Sequence, residues 1–188
     1  MREIELKCVV DDVNRRRRDL ERAGGTLEFE GRLEDRRYDT AKRELSDRDE
    51  VLRLRTYRNR EGCRTTLDWK GPRTVEDGYR VREELNISAH PVEATEAILE
   101  NLGYEVIRAV DRRIAQYTLG GAIIRFELYP RMDDLVEVEG EPRAIERAIE
   151  ALGLPRDEFN ADALSDFVTR YEKRTGKSAA ICDDDLDD

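Results

Sequence analysis

Glu3, Glu5 and Lys7 alternate with Ile4 and Leu6 near the beginning of the chain. Successive side chains of a strand point to opposite faces, so two carboxylates and an ammonium share one face and two aliphatic groups the other. The same division recurs further on. Arg53 and Arg55 oppose Leu52 and Leu54; Thr66, Asp68 and Lys70 share a face, as do Arg80, Arg82, Glu84 and Asn86. Arg125 and Glu127 oppose Ile124 and Phe126, and Glu137 and Glu139 oppose Val136 and Val138. Carboxylate oxygens bind hard divalent cations, while Arg and Lys bind phosphate. If these faces meet, together they form a site for a phosphate compound and its metal ion. Each row taken singly is the wet face of an ordinary half-exposed strand.

The elements that carry these rows follow from periodicity and punctuation. Asp11-Asp12 can cap a helix running through Val13, Arg16, Arg17 and Leu20 to a stop at Gly24-Gly25. Its basic run, Arg15 to Arg18, reads as a solvated helix face because Asp19 and Glu21 share the helix. Strands are expected over 26–32, 36–40 and 50–58. A turn at Asn59-Arg60-Glu61-Gly62 leads into a returning arm over 63–70, and after a loop another strand covers 79–87. Pro91 opens a helix ending at Gly103; strands follow over 104–118, bent or bulged in the middle, 122–129 and 135–140. Helices are expected over 142–152 and about 160–174, and the acidic run from Asp183 is expected to be disordered. Residues 1–177 are thus read as one domain and 178–188 as an acidic tail.

About eight antiparallel strands suffice to close a barrel around one small ligand. Two geometries satisfy the parity: charged faces outward around an apolar core, or charged faces inward with helices covering an apolar exterior. The apolar stripes Val13/Leu20 and Ala94/Ile98/Leu102 must be buried against something, and an apolar barrel exterior would serve. A surface adapted to high salt produces the same strand faces, so the pattern leaves both open.

Composition narrows the partners. The chain has 188 residues, 41% charged and 38% hydrophobic, against ordinary usage of roughly 25% and 45–50%. Its net charge is −10, and all but five of its cations are Arg. An acidic, lysine-poor surface resembles proteins of a high-salt cytoplasm. The sign of the charge argues against nucleic acid as a partner. Cys8, Cys63 and Cys182 are odd in number and widely spaced, which favours a reducing compartment over a disulfide framework or a zinc site. No signal-peptide pattern and no apolar run near 18 residues is present, so a cytoplasmic protein without a membrane partner is expected. The single histidine, His90, precedes Pro91 and reads as structural, leaving serine-type and cysteine-type mechanisms without their usual base.

Glu3-Ile4-Glu5-Leu6-Lys7 resembles the Glu-x-Glu-x-Lys signature of the CYTH family, the triphosphate tunnel metalloenzymes that include class IV adenylate cyclases and thiamine or inorganic triphosphatases. Further matching pieces occur in the family's order: Tyr38-Asp39-Thr40, Leu52-Arg53-Leu54-Arg55, Thr66 to Pro72, Arg82-Glu83-Glu84 and Glu137-Val138-Glu139. The resemblance implies an α+β fold, an eight-stranded antiparallel β-barrel forming a triphosphate tunnel with helices packed outside. It implies Mg²⁺ or Mn²⁺ held by Glu3, Glu5, Glu127, Glu137 and Glu139, and phosphates held by Arg53, Arg55, Lys70 and Arg82. Lys7, where the two sides meet, and Arg112 are its candidate catalytic cations, and Glu84 can join either network.

The expected substrate is a nucleoside or inorganic triphosphate. The neighbourhoods of Lys70-Gly71-Pro72 and Arg82 resemble the cyclase branch, which converts ATP to cyclic AMP and pyrophosphate. A triphosphatase using water is the near alternative, and a binding module without turnover the other. Three positions depart from the cyclase pattern: Ile114 stands where a second cation is usual, Glu127 where Asp is typical, and Met132-Asp133 replaces a Leu-Gly turn. Whether two chains pair is left open by the sequence.

Overall fold

The structure, a computed structural model, describes residues 2–186. Eight strands close an antiparallel barrel: β1 (Arg2–Val9), β2 (Thr26–Thr40), β3 (Val51–Asn59), β4 (Gly62–Lys70), β6 (Tyr79–Ser88), β7 (Tyr104–Leu119), β8 (Ala122–Leu128) and β9 (Leu135–Glu139). Their order is β1-β9-β8-β7-β2-β3-β4-β6, and β6 pairs back onto β1. A ninth strand, β5 (Thr74–Glu76), pairs with β6 outside the closed ring. Closure leaves almost no free edge, which suits strands this rich in exposed polar backbone.

Five helices lie outside: α1 (Val13–Arg22), α2 (Glu44–Asp47), α3 (Val92–Asn101), α4 (Pro142–Leu152) and α5 (Leu164–Thr175). The main core is between the barrel's exterior and these helices. Ile4 and Leu6 of β1, Ile124 and Phe126 of β8 and Val136 and Val138 of β9 pack with Leu20 of α1 and Ile145, Ile149 and Leu152 of α4. A second cluster sets Leu99 of α3 against Tyr38 and Leu54. Parity therefore sends the charged rows inward, and the inward-facing geometry is the one adopted. Ile145, fully buried, tests this arrangement: Ile145→Ala should destabilise the fold by about 2–5 kcal/mol in denaturant unfolding without altering the lumen.

Several expectations are revised. The strands expected over 26–32 and 36–40 are one continuous β2, paired with β7 along its whole length through register shifts at Leu27/Phe29 and Arg37/Tyr38. The bend expected in 104–118 is accommodated by those shifts. Neither α2 nor β5 was anticipated, both being short. The basic run of α1 is not a solvated face throughout. Arg16 is buried, holding both carboxylate oxygens of Asp11 at 2.7 Å and capping α4 through the carbonyls of Leu152 and Gly153. Arg17 binds the Tyr117 hydroxyl at 2.8 Å and Glu30.

The acidic tail expected to be disordered contacts the barrel as far as Asp185; residues 187–188 lie outside the described residues. Ala180 and Cys182 are buried, and Arg131 and Ala180 exchange backbone hydrogen bonds. Asp111, on the outer face of β7, explains the docking. Its carboxylate accepts from Arg36, from the Cys182 thiol at 2.9 Å and from the Asp183 backbone N–H, so one buried anion organises the segment.

Candidate functional site

Two cavities lie in the barrel and share part of their lining. One, about 280 Å³, is lined by Glu5, Lys7, Arg53, Lys70, Arg82, Arg112, Glu127 and Glu137, among others; the second, about 320 Å³, is lined by Glu3 and Glu139, among others. Arg55 and Arg125 line both and stand between them. Every site residue expected from the sequence therefore faces the lumen. Cross-strand register brings them together: Glu5 opposes Glu139 and Arg80, Lys7 opposes Glu137, Glu137 opposes Arg125, and Lys70 opposes Glu84.

A network of ion pairs fills the centre. Asp35 is its hub: Arg55 holds both of its oxygens at 2.7 and 2.8 Å, Arg112 reaches it at 3.1 Å and Arg53 at 3.6 Å. Burial favours the neutral acid, but the three guanidinium groups hold the Asp35 carboxyl well below the usual range. Arg53 also binds Asp68 at 2.7 Å. Arg112 donates to Glu127 at 2.8 Å, and the other Glu127 oxygen accepts from the Tyr129 hydroxyl at 2.9 Å. Glu137 lies between Lys7 and Arg125, each at 2.5 Å, and Lys70 is paired with Glu3.

The carboxylates divide electrostatically. Burial opposes ionisation of Glu3 and Glu137, yet Lys70 keeps Glu3 below the ordinary range, and Lys7 with Arg125 keeps Glu137 well below it. Glu5 and Glu139 go the other way. Burial pushes Glu5 up to about 7, reinforced by Glu137, and pushes Glu139 up to about 7 against the pull of Arg125. Glu5 reaches Arg80 at 3.2 Å; Glu139 makes no ion pair among the described residues. Two register-paired carboxylates, Glu5 buried and Glu139 half-buried, are incompletely compensated and, flanked by Glu3 and Glu137, form an all-oxygen donor set of the kind Mg²⁺ and Mn²⁺ prefer. Among the described residues, no three His, Cys, Asp or Glu side chains converge on a single point. The donors are adjacent in register but spread among ion pairs. Both oxygens of Glu127 are engaged, by Arg112 and Tyr129, as both oxygens of Glu137 are by Arg125 and Lys7.

The mouth of the first cavity is shaped by Asp39, which does not line it, and by Arg82, which does. The Asp39 carboxylate accepts from the backbone of Thr40, Leu45 and Ser46 and from the Ser46 hydroxyl at 2.6 Å, fixing α2 beside the opening. Arg82 donates to the Gly71 carbonyl at 2.6 Å and to the backbone of Asp49, so it ties the 71–72 loop to this rim. On the opposite side Leu164 and Ser165 of α5 line the opening, and Phe167 packs with Val110, Tyr129 and Leu135.

Sequence reasoning missed Asp35, Arg37, Arg108 and Tyr129. The first two were hidden by dividing β2 into two strands; a continuous alternation of Leu33, Asp35 and Arg37 was the available signal. Ile114 does face inward and is 1% exposed, packed with Leu33 and Tyr57, while Arg113 points out; no bulge substitutes one for the other. The lumen is thus apolar where a second cation was sought.

The model of the CYTH domain family matches residues 1–152. No curated protein matches the sequence. Among solved structures, a candidate adenylate cyclase from Vibrio parahaemolyticus is 21% identical with a TM-score of 0.74, the alignment covering 89% of this chain and 97% of that one. A protein from Pyrococcus horikoshii is 20% identical, also with a TM-score of 0.74, covering 89% and 98%. A candidate adenylyl cyclase from Hippeastrum, described as having a dominant triphosphatase activity, is 16% identical with a TM-score of 0.64, covering 93% and 96%. At these identities the likeness establishes the fold.

Proposed function

Because this chain belongs to the CYTH family, whose members generally are divalent-metal-dependent enzymes acting on triphosphates, we propose that its barrel binds a nucleoside or organic triphosphate with Mg²⁺ or Mn²⁺ and acts on the phosphate chain as a class IV adenylate cyclase does. The observation that carries this reading is the enclosure of Lys7, Arg53, Arg55, Lys70, Arg112 and Arg125 in one lumen with Glu3, Glu5, Glu137 and Glu139.

Arg53, Arg55, Lys70 and Arg82 bind and orient the phosphates, and Glu3, Glu5, Glu137 and Glu139 hold the ion. A bound divalent cation would supply charge neutralisation at the phosphoryl oxygens. Lys7 and Lys70 are each paired with a carboxylate. Each pair can exchange partners, the ammonium turning to phosphate and the carboxylate to cation, without leaving a buried charge alone. Arg112, fixed by Asp35 and Glu127, points a rigid positive charge at the reacting phosphate.

The nucleophile distinguishes the cyclase from a triphosphatase. The lumen residues grip phosphate and cation, and the same clamp serves attack by a ribose hydroxyl or by water. Incubation with ATP and Mg²⁺ or Mn²⁺ in high salt should yield cyclic AMP and pyrophosphate; release of phosphate from ATP, tripolyphosphate or thiamine triphosphate would assign the triphosphatase instead. EDTA should abolish either activity. Triphosphate binding with no product from any of the three substrates would reduce the protein to a binding module.

A further inference from the structure

One outer face of the barrel lacks a cover. Helices α1 and α4 cover the apolar exterior of β1, β8 and β9, and α3 covers that of β2 and β3. Beyond β3 the same apolar rows continue: Leu52 pairs with Trp69 and Trp69 with Leu85, while Leu54 pairs with Leu67 and Leu67 with Ile87. The last members of these rows are bare. Leu85 is 55% and Ile87 65% exposed, on the face of β6 opposite the lumen residues Glu84 and Asn86.

A second bare surface lies beside the first. Leu99 of α3 is buried with Tyr38 and Leu54, and Leu67 packs against the same cluster, so the helix borders β4. Ala94, Ile98 and Leu102, expected from the sequence to be buried, are instead turned to solvent, Ile98 59% and Leu102 67% exposed. Helical spacing puts these three on one flank of Leu99 and Glu96 and Glu100 on the other. The acidic flank lies over β2, where burial together with Glu96 and Glu100 pushes the Tyr38 hydroxyl up. The apolar flank therefore faces β4 and β6, which follow β3 in the sheet.

Helix ridge and sheet strip thus form one apolar groove on a chain of net charge −10. The exposed parts of Leu85, Ile87, Ile98 and Leu102 amount to on the order of 400–500 Å², as much as the largest apolar patch of an ordinary monomer. Two such grooves apposed bury about twice that area, and with Trp69, Ala94 and a polar rim they reach the roughly 1,200–2,000 Å² of a specific interface. What each surface lacks identifies the occupant. The strip lacks a helix and the ridge lacks a sheet face, and side by side in one chain neither can cover the other. A two-fold axis along the strands sets the ridge of each copy on the strip of the other, so one operation covers both. We propose that this groove is a homodimer interface, with the α3 helices of two copies lying side by side between the two barrels.

Sedimentation velocity over about 1–100 µM chain, in about 0.2 M and 2 M KCl, tests the interface. The intact protein should form a dimer of twice the 21.9 kDa chain mass, and its dissociation constant should fall at least tenfold at the higher salt, which screens the repulsion between two acidic copies. Ile87→Gln/Ile98→Gln leaves the charge unchanged and replaces two side chains that are more than half exposed. It should weaken association at least a hundredfold, with the melting temperature of the dilute monomer unchanged within about 2 °C. Leu27→Gln, at an exposed position of β2 paired with Tyr117 and away from the groove, should leave the dimer intact. A protein that stays monomeric at the highest concentration in 2 M KCl overturns the proposal, whether or not that monomer binds lipid vesicles. So does a dimer that survives Ile87→Gln/Ile98→Gln, or one that Leu27→Gln weakens equally.

Discussion

Asp35→Ala should lower the unfolding free energy by about 3–5 kcal/mol, the usual cost of stranding buried cations by removing their partner. The substitution leaves Arg55 without a bidentate acceptor and deprives Arg112 and Arg53 of a shared counterion, inside a lumen where all four side chains are nearly fully buried. Urea unfolding of the two proteins at neutral pH measures the difference, and a change below about 1 kcal/mol would mean that water screens the lumen. The pH dependence follows with a definite sign. The folded carboxyl lies well below its unfolded value of about 3.9, so its stabilisation is present in full above that value and disappears as pH falls through it toward the folded pKa. The intact protein should therefore lose stability on acidification below about pH 4, and Asp35→Asn should flatten that limb of the profile.

Glu5→Gln should reduce metal-dependent turnover by about 10²–10³-fold while leaving the fold intact. Glu5 is the candidate metal donor whose environment is hardest to justify structurally. It is buried beside Glu137, and its single ion pair among the described residues is with Arg80 at 3.2 Å. A carboxyl held at about 7 by burial gains little from being charged in the fold, so the amide is well tolerated there. Initial rates at saturating Mg²⁺ or Mn²⁺, with melting temperatures alongside, check the expectation. Full activity in Glu5→Gln would remove Glu5 from the metal side and leave it as a partner of Arg80. Asp35 thus holds three buried cations in place, whereas Glu5 has one ion pair among the described residues and is left to a ligand.

The sequence by itself determined which residues share a face. Alternation is a local property of extended backbone, so Glu3, Glu5 and Lys7, or Glu137 and Glu139, could be set apart from their apolar neighbours without any knowledge of the fold. The helix boundaries marked by Asp12, Pro91 and Pro142 were equally legible, because caps and prolines act within one turn. Motif order carried the family and with it the barrel. What alternation could not supply was the direction of the charged face, since inward and outward geometries have the same period.

Tertiary structure decided the rest, for reasons of distance along the chain. Asp35 becomes a hub only because β2 lies between β3 and β7, bringing Arg55 and Arg112 to one carboxylate from positions 20 and 77 residues away. The division of carboxylates into those held ionised and those pushed to about 7 depends on which lysine each one meets across strands, a matter of register. Asp111 turned an acidic tail into a packed segment, against its composition, by offering a buried acceptor to the Cys182 thiol and the Asp183 backbone. Arg37 and Arg108 are unremarkable in sequence, two arginines among many. Only closure of the barrel brings them to one cavity, where neither forms an ion pair among the described residues, because compensation of charge is a property of neighbours in space.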